Sequence, residues 1–233
     1  MLESGLAPAT VNRRLAALRS MVKLARTIGR VNWTLEIPSV RSEPYRDTRG
    51  PGRAGFRAIF DAASHQHPVL ATRNVAILRV LWSPGLRRAE LCELDLAHFD
   101  PQAKRLSILG KGRRERKWLE LPAQTLKAIQ AWIEIRGDQP APLFTNLDRR
   151  TKRARLSGAG LHMITSRLGQ SVGIKTRTHG IRHATISQRI ASGMSLPECQ
   201  DFSRHSDIKT LMIYNDRLEN AAGRLAAQAD AEI

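Results

Sequence analysis

The sequence predicts a mostly α fold with one small antiparallel β-sheet, an α+β class. Three observations predict it. Apolar residues recur at helical spacing through most of the 233 residues. The period shortens to two only over Arg105–Leu109 and Arg116–Leu121. Those two runs flank a Gly-Lys-Gly tip at 110–112, the signature of a hairpin.

Taken in order, the first helix is predicted over Thr10 to Ile28. Pro8 stands near its start and Gly29 past its end, and Val11, Leu15, Leu18, Val22 and Ala25 form one apolar stripe. Residues 38–55 carry prolines, glycines and mixed charges without periodicity, so a linker is expected, with a boundary near Gly52. Helices follow over Phe56–Ala63 and Val69–Trp82. Ser83-Pro84-Gly85 breaks the second, and a short helix runs from Arg87 to Leu94. After the hairpin, Pro122 opens a helix that carries Leu126, Ile129, Trp132 and Ile133 and stops near Gly137. Further helices are predicted over Gly158–Ser171, His179–Ser192, Leu196–Phe202, Ile208–Tyr214 and Leu218–Ala229. Trp82, Trp118 and Trp132 read as core residues.

Composition bounds the function. Hydrophobic residues at 42% with both charge signs present describe a chain that buries a core rather than a solvated polyelectrolyte. Lys+Arg 38 against Asp+Glu 21 gives +17, a field that favours polyanions. No apolar run approaches the ~20 residues that span a bilayer, and the first twelve residues lack the pattern of a secretory signal. With Cys92 and Cys199 alone, neither a disulfide scaffold nor a structural zinc site is expected, and a reducing cytoplasm is the default. Ten Lys or Arg and no Asp or Glu lie between Arg149 and Pro197, a one-signed block that fits a double-stranded nucleic acid and a strong salt dependence.

The residues able to do chemistry are cations, imidazoles and one phenol. The sequence lacks a phosphate-binding lysine loop, a paired acidic cluster for two metals and a serine nucleophile elbow. Arg87 begins a helix with Glu90 one turn on, where the carboxylate can orient a guanidinium. Lys111 sits at the hairpin tip. His179 and Arg182 share the first turn of a helix, near its positive end. Ser203-Arg204-His205-Ser206 and then Tyr214 complete the set. Glu90 reads as an orienting or capping carboxylate, and His183 as a packed histidine. Arg88 reads as solvated, and Tyr214, on its own, as a core tyrosine.

This combination and order resembles the tyrosine recombinase (phage integrase) family. Its pattern is an Arg in a Gly-Leu-Arg-x-x-Glu motif, a hairpin Lys, His-x-x-Arg, a second His and a nucleophilic Tyr. The match spans about Thr10 to Asn220 and is most specific over Gly85–Leu121 and Thr178–Asn215. The spacings are 24 positions from Arg87 to Lys111, 26 from His179 to His205 and nine from His205 to Tyr214, and they agree with the pattern. One departure stands out: Arg204 occupies the position before the second His, where the family commonly has Gly. There it would either strain a left-handed backbone or add a phosphate contact.

The resemblance implies a recombinase that cuts and rejoins DNA through a 3′-phosphotyrosine at Tyr214, without metal, ATP or other cofactor. Arg87 and Arg182 would offset phosphorane charge, His179 act as base, His205 assist, and Lys111 protonate the leaving 5′ oxygen. The expected DNA contacts are Arg19, Lys23 and Arg26 on the first helix, Arg113 and Arg114 on the hairpin, and Arg149, Arg150, Lys152 and Arg153 in the basic block. The resemblance also implies three segments: 1–37 as a remnant of an N-terminal core-binding helical domain, 38–52 as linker and 53–233 as catalytic domain. The chain then carries a truncated clamp. The expected partners are double-stranded DNA and a tetramer of this chain assembled through the helix at 218–229, in the bacterial cytoplasm at the nucleoid, as part of a mobile element. Two other readings compete: a non-catalytic DNA-binding remnant that regulates an intact relative, and a type IB topoisomerase that relaxes supercoils alone.

Overall fold

The computed structural model describes residues 5–41, 50–110, 115–139, 141–148, 153–205, 207–208 and 210–211. The chain divides into two compact units, Met1–Asp47 and Thr48–Ile233. The N-terminal unit is built on α1 (Pro8–Thr27), opened by Pro8 in its first turn and followed by Gly29 at φ +70°. Val11 and Leu15 are buried, whereas Met21, Leu24 and Ile28 on the distal half are exposed. The chain then runs back along the helix. The Asn12 amide donates to Val40 O at 2.7 Å and accepts from Val40 N at 2.8 Å, closing a two-bond clasp between the helix and the returning segment.

The larger unit follows the order α2 (Gly52–Ser64), α3 (Pro68–Trp82), α4 (Arg88–Cys92), β1 (Phe99–Asp100), β2 (Arg105–Leu109), β3 (Arg116–Glu120), α5 (Ala123–Arg136), α6 (Gly158–Ser171), α7 (Thr178–Ala191) and α8 (Leu196–Ser203). It is the predicted class. Helix α2 starts four residues earlier than its apolar period suggests, because Pro51 fixes the entry φ at −65° and the polar first turn needs no buried face. The sheet has order β1-β2-β3, all antiparallel, with Phe99 opposite Leu106 and Leu106 opposite Leu119. Two-residue β1 is too short to register as a period.

Helix α3 is the spine. Ala76, Ile77, Leu78, Val80 and Leu81 are fully buried, so the helix is apolar nearly all round. It packs on α2, α5 and α7, while α6 packs on α2, α4 and α7. Trp132 on α5 fills this core, and its indole N–H is satisfied by Leu143 O at 2.8 Å. Trp82 stacks on Phe56 with centroids 4.0 Å apart. Trp118 departs from the core reading: it is 44% exposed, on the outer face of edge strand β3, where the Arg105 guanidinium lies 4.3 Å over its ring. Leu106 and Ile108 face the core from the other side of the sheet, and a period of two sends Trp118 outward. A second apolar cluster, Ile186, Ile190, Cys199 and Leu211, holds α8 against α7.

Candidate active site

Three local structures build the site. The first is the loop after α3, where Gly85 takes φ +60° and lets residues 83–87 turn back beneath the start of α4. The turn is tight, since a Cβ on Gly85 would lie 3.2 Å from the Phe202 ring. Arg87 caps α4 in extended conformation. Glu90, one turn on and almost wholly buried, accepts the Arg87 main-chain N–H at 2.7 Å through Oε2 and the Arg87 Nη1 at 2.7 Å through Oε1. Glu90 thus closes a capping box at the start of α4 and pairs with the Arg87 guanidinium.

The second is the start of α7. Thr178 opens the helix, so His179 and Arg182 both lie in its first turns, as their spacing predicts. Arg182 is 1% exposed. Its guanidinium donates through Nη1 to Gly85 O and through Nη2 to Ser203 O. The His183 ring meets the His179 ring edge-on at 4.4 Å, a packing contact.

The third is the end of α8. Arg204 N donates to Asp201 O at 3.2 Å and His205 N to Gln200 O at 3.3 Å, the two bonds of a Schellman cap, with Arg204 left-handed at φ +57°, ψ +40°. That geometry explains why glycine suits this position. Instead of reaching outward to a phosphate, the Arg204 side chain folds inward onto Glu90 Oε2 at 3.0 Å, which corrects the phosphate-contact expectation. Ser203, which the sequence places in the set without a role, does two things. Its main-chain oxygen accepts from both Arg87 (3.2 Å) and Arg182, and its hydroxyl bonds His205 Nδ1 at 2.7 Å. The signal for the second lay in the Ser-x-His spacing at the end of a helix.

Arg87, Glu90, His179, Arg182 and His205 are therefore brought together from three separate segments. Electrostatics follow from the crowd of cations. Burial, then Arg182, Arg87, His179 and Arg204, hold His205 down to about 4. Burial, then Arg182, Arg87 and Arg88, also lower His179. Both imidazoles are neutral near pH 7 and able to accept a proton. Burial acts to raise the Glu90 carboxyl, but Arg204 and the amide and guanidinium of Arg87 overrule it, so Glu90 stays ionised. The result is a net-cationic pocket with neutral bases, suited to an anionic tetrahedral group and a proton leaving a nucleophile.

The other expected residues are less gathered. Arg19 is tied to Ile37 O and lies 3.4 Å from Ser39 Oγ, while Lys23 and Arg26 are exposed on α1. Arg88 is exposed, its side chain running over Gly158. Exposed Arg153, left-handed at φ +66°, donates to Gln139 O at 3.3 Å. Lys111, Arg113, Arg114, Arg149, Arg150, Lys152 and Tyr214, and the helix expected at 218–229, lie outside the described residues. Among the described residues, no helix is long and apolar enough to cross a membrane.

Known proteins share this architecture. The model of the phage integrase family matches residues 56–221. A tyrosine recombinase of Synechocystis sp. is 37% identical over 222 residues, which cover 93% of this chain and 71% of the relative. Among solved structures, the XerH site-specific recombinase bound to palindromic difH substrate superposes with a TM-score of 0.73 at 18% identity, covering 94% of this chain and 68% of that one. The Tn1549 transposon integrase in complex with transposon right end DNA superposes with a TM-score of 0.70 at 16% identity, covering 97% of this chain and 82% of that one.

Proposed function

The chain belongs to the phage integrase family, and from that premise we propose how this tyrosine-type site-specific recombinase cleaves and rejoins duplex DNA. One observation carries the reading: Arg87 and Arg182 converge on one oxygen beside two neutral imidazoles. A phosphodiester gains a negative charge on becoming a phosphorane, and two forked guanidiniums in a site of low dielectric stabilise that charge more than the ground state.

Tyr214 supplies the nucleophile. Its phenol gives its proton to His179, its oxygen forms a bond to phosphorus, and the bond to the 5′ oxygen breaks. Lys111 delivers a proton to that oxygen, leaving a 3′-phosphotyrosine and a free 5′ hydroxyl. Because the ester bond is conserved, a 5′ hydroxyl from a second duplex reverses the step without ATP. Glu90 holds Arg87 in place, and His205, oriented by Ser203, donates a hydrogen bond to a non-bridging oxygen. Residues 53–233 form the catalytic domain and residues 1–37, which include α1, belong to a core-binding helical part that contacts DNA, joined by 38–52. Arg113, Arg114, Arg149, Arg150, Lys152 and Arg153 contact phosphates near the cleavage point, and Lys23 and Arg26 do so from α1. Copies assemble as a tetramer on DNA through residues 218–229. The kinship with named recombinases favours this enzyme over a non-catalytic occupant of recombination sites.

The test is a covalent adduct. The chain is incubated with a library of nicked duplexes of randomised core sequence, and protein-linked DNA is recovered after denaturation and sequenced. A resistant adduct that disappears in Tyr214→Phe is the expected result. No adduct from any member of the library would sink the reading.

A further inference from the structure

Arginine is a poor residue for a left-handed helix cap. At φ +57° its Cβ crowds the following carbonyl, and glycine would take the same conformation without strain. What the side chain does there is therefore informative. Nη1 donates to Pro84 O at 3.1 Å and Phe202 O at 2.9 Å, and Nη2 donates to Gly85 O at 3.2 Å and Glu90 Oε2 at 3.0 Å. Four oxygens from three segments hold the fork, and only 11% of the side chain is exposed. Lysine, a single point donor, cannot span them.

The Glu90 carboxylate is divided accordingly. Oε1 takes the Arg87 guanidinium, and Oε2 is shared by the Arg87 amide and Arg204. Without Arg204, Glu90 would be held by Arg87 alone, through its amide and its guanidinium, and the pair would be formally neutral. With it, the cluster of Arg87, Arg182, Arg204 and Glu90 keeps two net positive charges in formal terms, and the carboxylate is pinned from both sides.

We infer that Arg204 is a positioning residue for cleavage: by clamping Glu90 and the 84–85 loop, it fixes the Arg87 guanidinium and leaves its charge available to the scissile phosphate. The inference rests on the functional reading above, which makes this cluster the phosphate site. Arg204 itself touches no reacting atom. Its side chain acts through Glu90, 114 positions away in sequence, while its main-chain oxygen, kept in every variant, accepts from Arg87 Nη2 at 2.7 Å.

The experiment compares the wild-type chain with Arg204→Gly, which suits the left-handed backbone, and Arg204→Lys, which keeps the charge without the fork. Three quantities are read. They are the single-turnover rate of adduct formation at saturating nicked duplex, the duplex concentration at half-saturation, and hydrogen exchange at the Arg87 guanidinium followed by nitrogen-15 NMR. For Arg204→Gly the expected result is a rate about 10- to 100-fold lower, the usual scale for a lost supporting contact, with half-saturation unchanged and faster Arg87 exchange. Arg204→Lys recovers only part of the rate, and millimolar guanidinium ion speeds Arg204→Gly but not the wild type. An unchanged rate with unchanged Arg87 exchange would reduce Arg204 to a helix cap. A shift confined to half-saturation would make it a DNA contact, and either result overturns the inference. Should the wild type form no adduct at all, the functional reading fails, while Arg87 exchange in Arg204→Gly still decides whether Arg204 positions Arg87.

Discussion

The guanidiniums of Arg87 and Arg182 donate to the same acceptor, the main-chain oxygen of Ser203. Two like charges share so small a volume only because partial negative charge lies between them. A non-bridging phosphate oxygen would offer the same guanidiniums a full charge in place of the carbonyl's partial one. The two arginines differ in burial, however. The Arg87 side chain is 22% exposed and Arg182 lies in the core.

Replacing either with alanine should therefore lower single-turnover cleavage about 10²- to 10³-fold, the scale for one lost transition-state donor. Stability separates them. Arg182→Ala leaves a cavity and strips a donor from Gly85 O and Ser203 O, at a cost of about 2–4 kcal/mol. Arg87→Ala leaves Glu90 with Arg204 and costs roughly 1 kcal/mol. Denaturant midpoints beside cleavage rates check this, and equal destabilisation by the two would contradict the burial argument.

Glu90 is almost wholly buried, at 2% side-chain exposure between two guanidiniums. Glu90→Ala leaves both cations facing a void and should destabilise by about 3–5 kcal/mol, the cost of breaking a buried pair from one side. Glu90→Gln keeps the shape and one acceptor oxygen but turns an NH2 toward an N–H donor and removes the counter-charge, so it should lose less stability than Glu90→Ala yet cleave more slowly, with Arg87 less firmly held. If Glu90→Gln cleaves like the wild type, the carboxylate is only a cap.

The imidazoles set a pH dependence whose sign is fixed by their depressed values. His205 titrates near 4 in the folded chain and near its ordinary 6.5 when unfolded, so the unfolded state binds the extra proton between those limits. The stability this group contributes is complete above about pH 6.5 and is lost as pH falls toward 4. His179, also lowered, adds in the same direction. The melting temperature should fall over that window, and His205→Asn should flatten the fall. DNA phosphate placed among Arg87, Arg182 and the rings reverses their electrostatic burden, so binding near pH 5.5 should take up protons. Calorimetry in buffers of different ionisation heat reads this, and proton release would place the phosphate elsewhere.

Much of this site was legible because its pairs are local. Arg87 with Glu90 and His179 with Arg182 each stand three apart, and a helix turn puts such residues side by side whatever the rest of the fold does. The direction of a long side chain is not local. Arg204 could be recognised as an odd occupant of a glycine-favouring place, but its choice of Glu90 over solvent depends on how α4 and α8 pack. Ser203 stands in the motif without a role for the same reason, since a main-chain oxygen has no sequence signature. Trp118 misled because residue type argues for core while strand alternation, set by the core-facing Leu106 and Ile108 on either side of its partner Ser107, argues for the outer face. On an edge strand the alternation decides.

A last prediction comes from how tightly the start of α7 is seated. A Cβ built on Gly50 would stand 1.8 Å from Gly180 O and 2.7 Å from Ala184 Cβ. Neither atom can step aside alone: the carbonyl belongs to the first turn of α7, and Ala184 lies on the same helix between Arg182 and the Ile186 cluster. Gly50→Ala must push residue 50 away or tilt the helix end that carries His179 and Arg182. A shift of about 1 Å at a catalytic group is enough to cost about 10²-fold in rate. Gly50→Ala should therefore depress cleavage by an order of magnitude or more while the far-UV circular dichroism keeps its helical content. Gly137→Ala is the control, since its Cβ would meet nothing within 4 Å and its positive φ strains only the end of α5, remote in sequence from the cluster. If the two variants lose cleavage equally, the close approach of residue 50 to α7 is not what holds His179 and Arg182 in register.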